Sequence, residues 1–176
     1  MTVSGFLSIS PFLCIGGAAV LLMLLVSLRR TYTGAAALTL LGIGAALATL
    51  PLMARSNPTR LFLLLLNGYT ALYAGLLLLA AAASVLFAFE YFKNYESNRE
   101  EFFILLLLAT LGAMVLAASD HFATFFLGLE LLSVSLYSMI AYPRTTARQI
   151  EAAIKYLVPA SVSSAFLLFG MALIYA

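Results

Sequence analysis

The stretch from Asp120 to Tyr142, DHFATFFLGLELLSVSLYSMIAY, restricts the fold more than any other part of the chain. It is an apolar run long enough to cross a bilayer, with one carboxylate, Glu130, near its middle. A hydrocarbon core about 30 Å thick needs roughly 20 apolar residues at about 1.5 Å each. Glu130 then lies about 14 Å from His121, at the nearer end. An ionisable side chain at that depth costs about 2.5–3.5 kcal/mol to insert and marks a functional site by default. Glu130 is therefore expected to turn away from lipid, toward other helices or a wet cavity. Its helical face holds Ala123, Phe126, Leu127, Ser133, Val134 and Tyr137, apolar before the carboxylate and hydroxyl-bearing after it.

The rest of the chain has the same character. Of 176 residues, 64% are hydrophobic and 9% charged, too little polar surface for an ordinary water-soluble domain of this length. The fold class is all-α, a polytopic helical membrane protein whose solvent is the lipid bilayer. One cysteine, Cys14, excludes an internal disulfide and reads as a small hydrophobe. The first residues carry no basic region of a cleaved leader. Trp is absent, which leaves Tyr and Phe to form any interfacial belt. No glycine-rich phosphate loop, metal-ligand cluster, Ser/His/Asp arrangement or cofactor motif is visible. We expect no bound cofactor, no metal site and no nucleic-acid partner.

Taken in order, about six spans emerge within a single transmembrane domain. The first runs from about Phe6 to Leu28 and stops at Arg29 and Arg30; Pro11 lies near its start, where a missing N–H is tolerated. The second covers about Gly34 to Met53, with Pro51 expected to close it. After Arg55 to Arg60 (RSNPTR), the piece Leu61 to Leu66 (LFLLLL) is too short to span, and Asn67–Gly68 is a turn signal. This piece reads as a short surface hairpin or as the start of the next helix. The third span, about Tyr69 to Phe89, includes Ala80 to Ala83, small enough for close helix approach. Glu90 to Glu101 reads as a solvated loop. The fourth span is about Phe102 to Ser119 and the fifth about His121 to Tyr142, with Asp120 expected as its N-cap. Arg144 to Gln149 is a basic loop, and the sixth span covers about Ile150 to Tyr175.

The loops are lopsided. Arg29, Arg30, Lys93, Arg99, Arg144 and Arg148 fall on one side, and Arg55 and Arg60 on the other. The positive-inside rule then places the N-terminus outside the cell membrane.

Two further residues stand out. His121 is a proton relay or an interfacial structural histidine. Lys155, in EAAIKYLVPASVSSAF, has Glu151 four residues before it, the favoured orientation for a helical pair, and can snorkel to the interface. Against that plain reading stands Pro159, which cannot donate to the carbonyl of Lys155. A freed carbonyl beside an ammonium suits a water site inside a bundle, and both readings stand.

FFLGLELLSVSLYSMIAY followed by RQIEAAIKYLVPASVSSAFLLFGMALIYA resembles the subunit N family of proton-translocating NADH–quinone oxidoreductase, respiratory complex I. The resemblance is strong over about 101–176 and looser before it, where Asn67 stands at a position the family often fills with Asp. It implies an antiporter-like inverted-repeat fold, of which this chain would supply the first helices of a longer subunit. It also implies that Glu130 is the essential glutamate of the fifth helix and Lys155 a lysine of the hydrated proton route. Ser133, Tyr137, Pro159 and His121 would support them. NADH and quinone would be used by the whole complex, and the other membrane-arm subunits would be partners in a bacterial inner membrane. The alternatives are a sodium/proton antiporter subunit of the same superfamily and an inactive membrane scaffold fragment.

Overall fold

Inside a bilayer each backbone N–H and C=O must be satisfied within its own segment, so long apolar runs fold as helices. The computed structural model describes residues 3–55, 58–61, 63–93, 99–142 and 147–175. Six helices are α1 (Val3–Leu28), α2 (Tyr32–Arg55), α3 (Gly68–Phe92), α4 (Glu100–Ala118), α5 (Phe122–Ile140) and α6 (Ala147–Tyr175). All six are long and apolar enough to cross a membrane. Between α2 and α3 lies an antiparallel hairpin of β1 (Thr59–Leu61) and β2 (Leu64–Leu66).

Several local expectations need correction. Pro51 does not close α2, which continues through it to Arg55. The LFLLLL piece gives Leu61 to β1 and Leu64–Leu66 to β2 rather than starting α3, but Asn67–Gly68 is not the turn of this hairpin. Asn67 instead caps α3, its side-chain oxygen accepting from the Thr70 N–H at 2.9 Å. The hairpin reverses at Leu63, whose φ of 64° is left-handed, a conformation that costs an ordinary side chain energy unless its surroundings impose it. Asp120 is not the N-cap of α5. That position belongs to His121, whose Nδ1 accepts from the Ala123 N–H at 3.1 Å. Residues 94–98 of the expected Glu90–Glu101 loop and 144–146 of the expected Arg144–Gln149 loop lie outside the described residues, and α3, α4 and α6 take up the loop ends.

Helices α1 to α4 pack together around Ile15, Leu22, Ile43, Leu78, Phe103, Leu107 and Met114. On α3 the buried apolar positions are Ala71, Ala74, Leu78, Ala81, Val85, Ala88 and Phe92, alternating steps of three and four. That spacing keeps one seam facing its neighbours, and alanines on it let backbones approach. Of the small run Ala80 to Ala83, only Ala81 is buried on this seam. Helix α5 lies on α4, and α6 packs chiefly on α5.

Side chains tie the connections together at each end. At one end Arg30 approaches Glu101 at 3.9 Å, Tyr32 donates to the Phe89 carbonyl at 2.6 Å, and Arg99 lies over the Tyr32 ring. At the other end Arg60 pairs with Asp120 at 3.1 Å, while the Asp120 N–H and the Thr124 hydroxyl donate to the Leu63 carbonyl, each at 3.0 Å. The hairpin is thereby strapped across the junction of α4 and α5.

Candidate functional site

The height and facing of Glu130 are set by two glycines. A Cβ on Gly128 would fall 2.7 Å from the Leu116 backbone N, and one on Gly112 would fall 2.6 Å from the Leu132 backbone N. Only glycine permits this crossing of α4 and α5. Residues two apart on a helix point about 200° apart. With Gly128 pressed on α4, Glu130 therefore faces the opposite way, toward α6. There the Ser164 hydroxyl donates to Glu130 Oε1 across the α5–α6 seam. Glu130 and Ser164 are both half-buried.

Two cavities flank this hydrogen bond along the seam. One, of about 770 Å³, is rimmed by Asp120, His121 and Tyr175 and reaches Phe125 and Phe166 on its way toward Glu130. The other, of about 610 Å³, begins at Glu101 and reaches Tyr137 and Leu157 from the opposite end. Glu130 lies along α5 between the two cavities, which open at opposite ends of the helices, and neither cavity is lined by Glu130 or Ser164. The walls near Glu130 bring it no cation among the described residues. Helix α4, behind α5, has no ionisable side chain beyond Glu101.

The remaining residues singled out in the sequence scatter along the same two helices. Ser133 and Tyr137 are half-buried on α5, and Tyr137 lines the second cavity. Lys155 is exposed and held by Glu151 at 2.5 Å, the snorkelling geometry. It lies nine residues before Ser164, about 14 Å along α6, so the structure does not bring it to Glu130. Pro159, also exposed, falls between them within an unbroken α6. His121, besides capping α5, is joined through Nε2 to the Tyr175 hydroxyl at 2.9 Å at the mouth of the first cavity. Sequence reasoning missed Ser164, Tyr175 and the Gly112–Gly128 crossing. The serine-rich run SVSSAF was the one available signal for Ser164.

Residues 119–176, which contain α5, α6 and this seam, match the family model described as NADH:quinone oxidoreductase/Mrp antiporter, TM. The fold of this chain is also similar to a chain of respiratory complex I from Thermus thermophilus, solved with bound aureothin, with a TM-score of 0.80 and 31% sequence identity. That match covers 94% of this chain and 36% of the Thermus chain, so this chain spans about a third of the length of its solved relative.

Proposed function

We propose that this chain supplies the first helices of a proton-translocating membrane-arm subunit of NADH–quinone oxidoreductase, of the subunit N type. Quinone reduction by NADH would take place in partner subunits, and this chain would move protons without holding a redox group. The observation that carries this reading is Glu130, a carboxylate at mid-helix in the α5–α6 seam with a cavity on either side. It would alternate between neutral and ionised forms, taking a proton from one cavity and passing it to the other. Lys155, on α6 beside the second cavity's lining residues Ile154 and Leu157, would serve as the second proton-carrying group. His121 and Tyr175 would serve the mouth of the first.

Other membrane-arm subunits are the proposed partners, in a bacterial inner membrane with the N-terminus outside. The matched family also covers Mrp antiporters, which keeps a sodium/proton antiporter subunit as the second reading. Genes for redox subunits beside this one favour the first reading, and genes for an antiporter operon the second.

Glutamine is nearly isosteric with glutamate but has no titratable proton. In the assembled complex, Glu130→Gln should sharply reduce proton pumping and coupled quinone reduction, and Glu130→Asp should retain part of both. NADH oxidation with an artificial acceptor should stay normal. Glutamine-variant complexes that assemble and pump at the wild-type rate would show Glu130 to be structural.

A further inference from the structure

Hydroxyls inside membrane helices have a local acceptor available, the carbonyl four residues earlier. In this chain Thr39, Ser84, Thr110, Ser135 and Ser138 all take it, with bonds of 2.7–2.9 Å to Ala35, Ala80, Leu106, Leu131 and Val134. Ser164 departs from this pattern and reaches across to the Glu130 carboxylate. Its local alternative is the carbonyl of Ala160. Among the described residues α6 buries only Ala153, and Pro159 interrupts its hydrogen bonding five residues before Ser164.

We propose that Ser164 is a positioning residue for Glu130, a two-position hydroxyl that holds the carboxylate in the seam while α6 sits against α5 and turns back to Ala160 when α6 shifts. A hydrogen bond donated to a charged acceptor is among the stronger ones, and it forms only when donor and acceptor stand at one level. Movement of the Pro159–Ser164 segment therefore changes how firmly Glu130 holds its place between the cavities. This inference rests on the proton-transfer reading of Glu130.

The test uses the assembled complex. Ser164→Ala should lower pumping about tenfold, the loss expected for one hydrogen bond to a charged group. Ser164→Thr, which keeps the hydroxyl, should restore most of it. A purely structural role would leave a second readout unmoved. In infrared difference spectra of turnover, the carboxyl stretch that disappears in Glu130→Gln should shift in Ser164→Ala and return in Ser164→Thr. If Ser164→Ala fails to assemble on a native gel, Ser164→Cys, with a weak donor in similar volume, is held to the same two readouts. Normal pumping and an unshifted band in the hydroxyl-free or thiol variant, with Glu130→Gln inactive, would overturn the role of Ser164 alone. Normal pumping in Glu130→Gln would overturn the proton-transfer reading itself.

Discussion

Glu130 and Lys155 look alike from sequence, each a charge in an apolar run, yet the structure treats them differently. Glu130 points into a helix seam and takes a hydroxyl from another helix, whereas Lys155 pairs with Glu151 on its own helix and stays exposed. An exposed i,i+4 pair contributes only about 0.3–0.5 kcal/mol, so stability alone gives little reason for a lysine there. If Lys155 carries protons, Lys155→Ala should lower pumping in complexes that still assemble. Lys155→Arg should rescue it only in part, because a guanidinium does not release its proton. Glu151→Ala separates the roles. It should leave pumping near normal if the ion pair is incidental, and match Lys155→Ala if the pair is all that matters.

The crossing of α4 and α5 is the element on which the site's geometry rests. Gly112→Ala would press a methyl group against the Leu132 backbone, which cannot swing aside as a side chain can. Overpacking of this kind costs about 1–3 kcal/mol. The variant should show less assembled complex on a native gel and a lower unfolding temperature in detergent. Gly17→Ala, where nothing lies within 4 Å, should be neutral or slightly stabilising in the same assays. The hairpin strap predicts a graded pair. Loss of the Arg60–Asp120 ion pair, with the Arg60 side chain 76% exposed, should cost under about 1 kcal/mol. Asn67→Ala, which removes the cap of α3, should cost about 1 kcal/mol.

For the whole molecule, the side-chain ties sort the connections into two groups. The α1–α2 and α3–α4 connections share one end, through Arg30, Glu101, Tyr32 and Arg99, and the α2–α3 and α4–α5 connections share the other, through Arg60 and Asp120. The arginine-rich group is the one expected in the cytoplasm. Reporters fused after Arg30, Lys93 or Arg148 should behave as cytoplasmic, and one fused after Ser56 as external. An external signal from the Arg148 fusion would reverse the orientation. With this orientation the first cavity would open outward and the second inward.

Six helices and their approximate limits could be read from the residues, because bilayer length acts on a single segment at a time. The facing of Glu130 was legible only as an avoidance of lipid. Helix α5 is apolar nearly all round, so periodicity could not say which neighbour the carboxylate meets. Gly112 and Gly128, sixteen residues apart on different helices, have meaning only as a backbone contact. Leu63 at positive φ has no local signal at all, since nothing in LFLLLL favours a left-handed residue. The Asp120 N–H and the Thr124 hydroxyl hold its carbonyl there, and the same junction gives Asp120 to Arg60 and leaves the cap of α5 to His121. The choice of Ser164 over its neighbour Ser163 was likewise made by the packing of α6 on α5. A one-residue step turns a helical side chain by about 100°, and only the docked pair of helices decides which hydroxyl reaches the carboxylate.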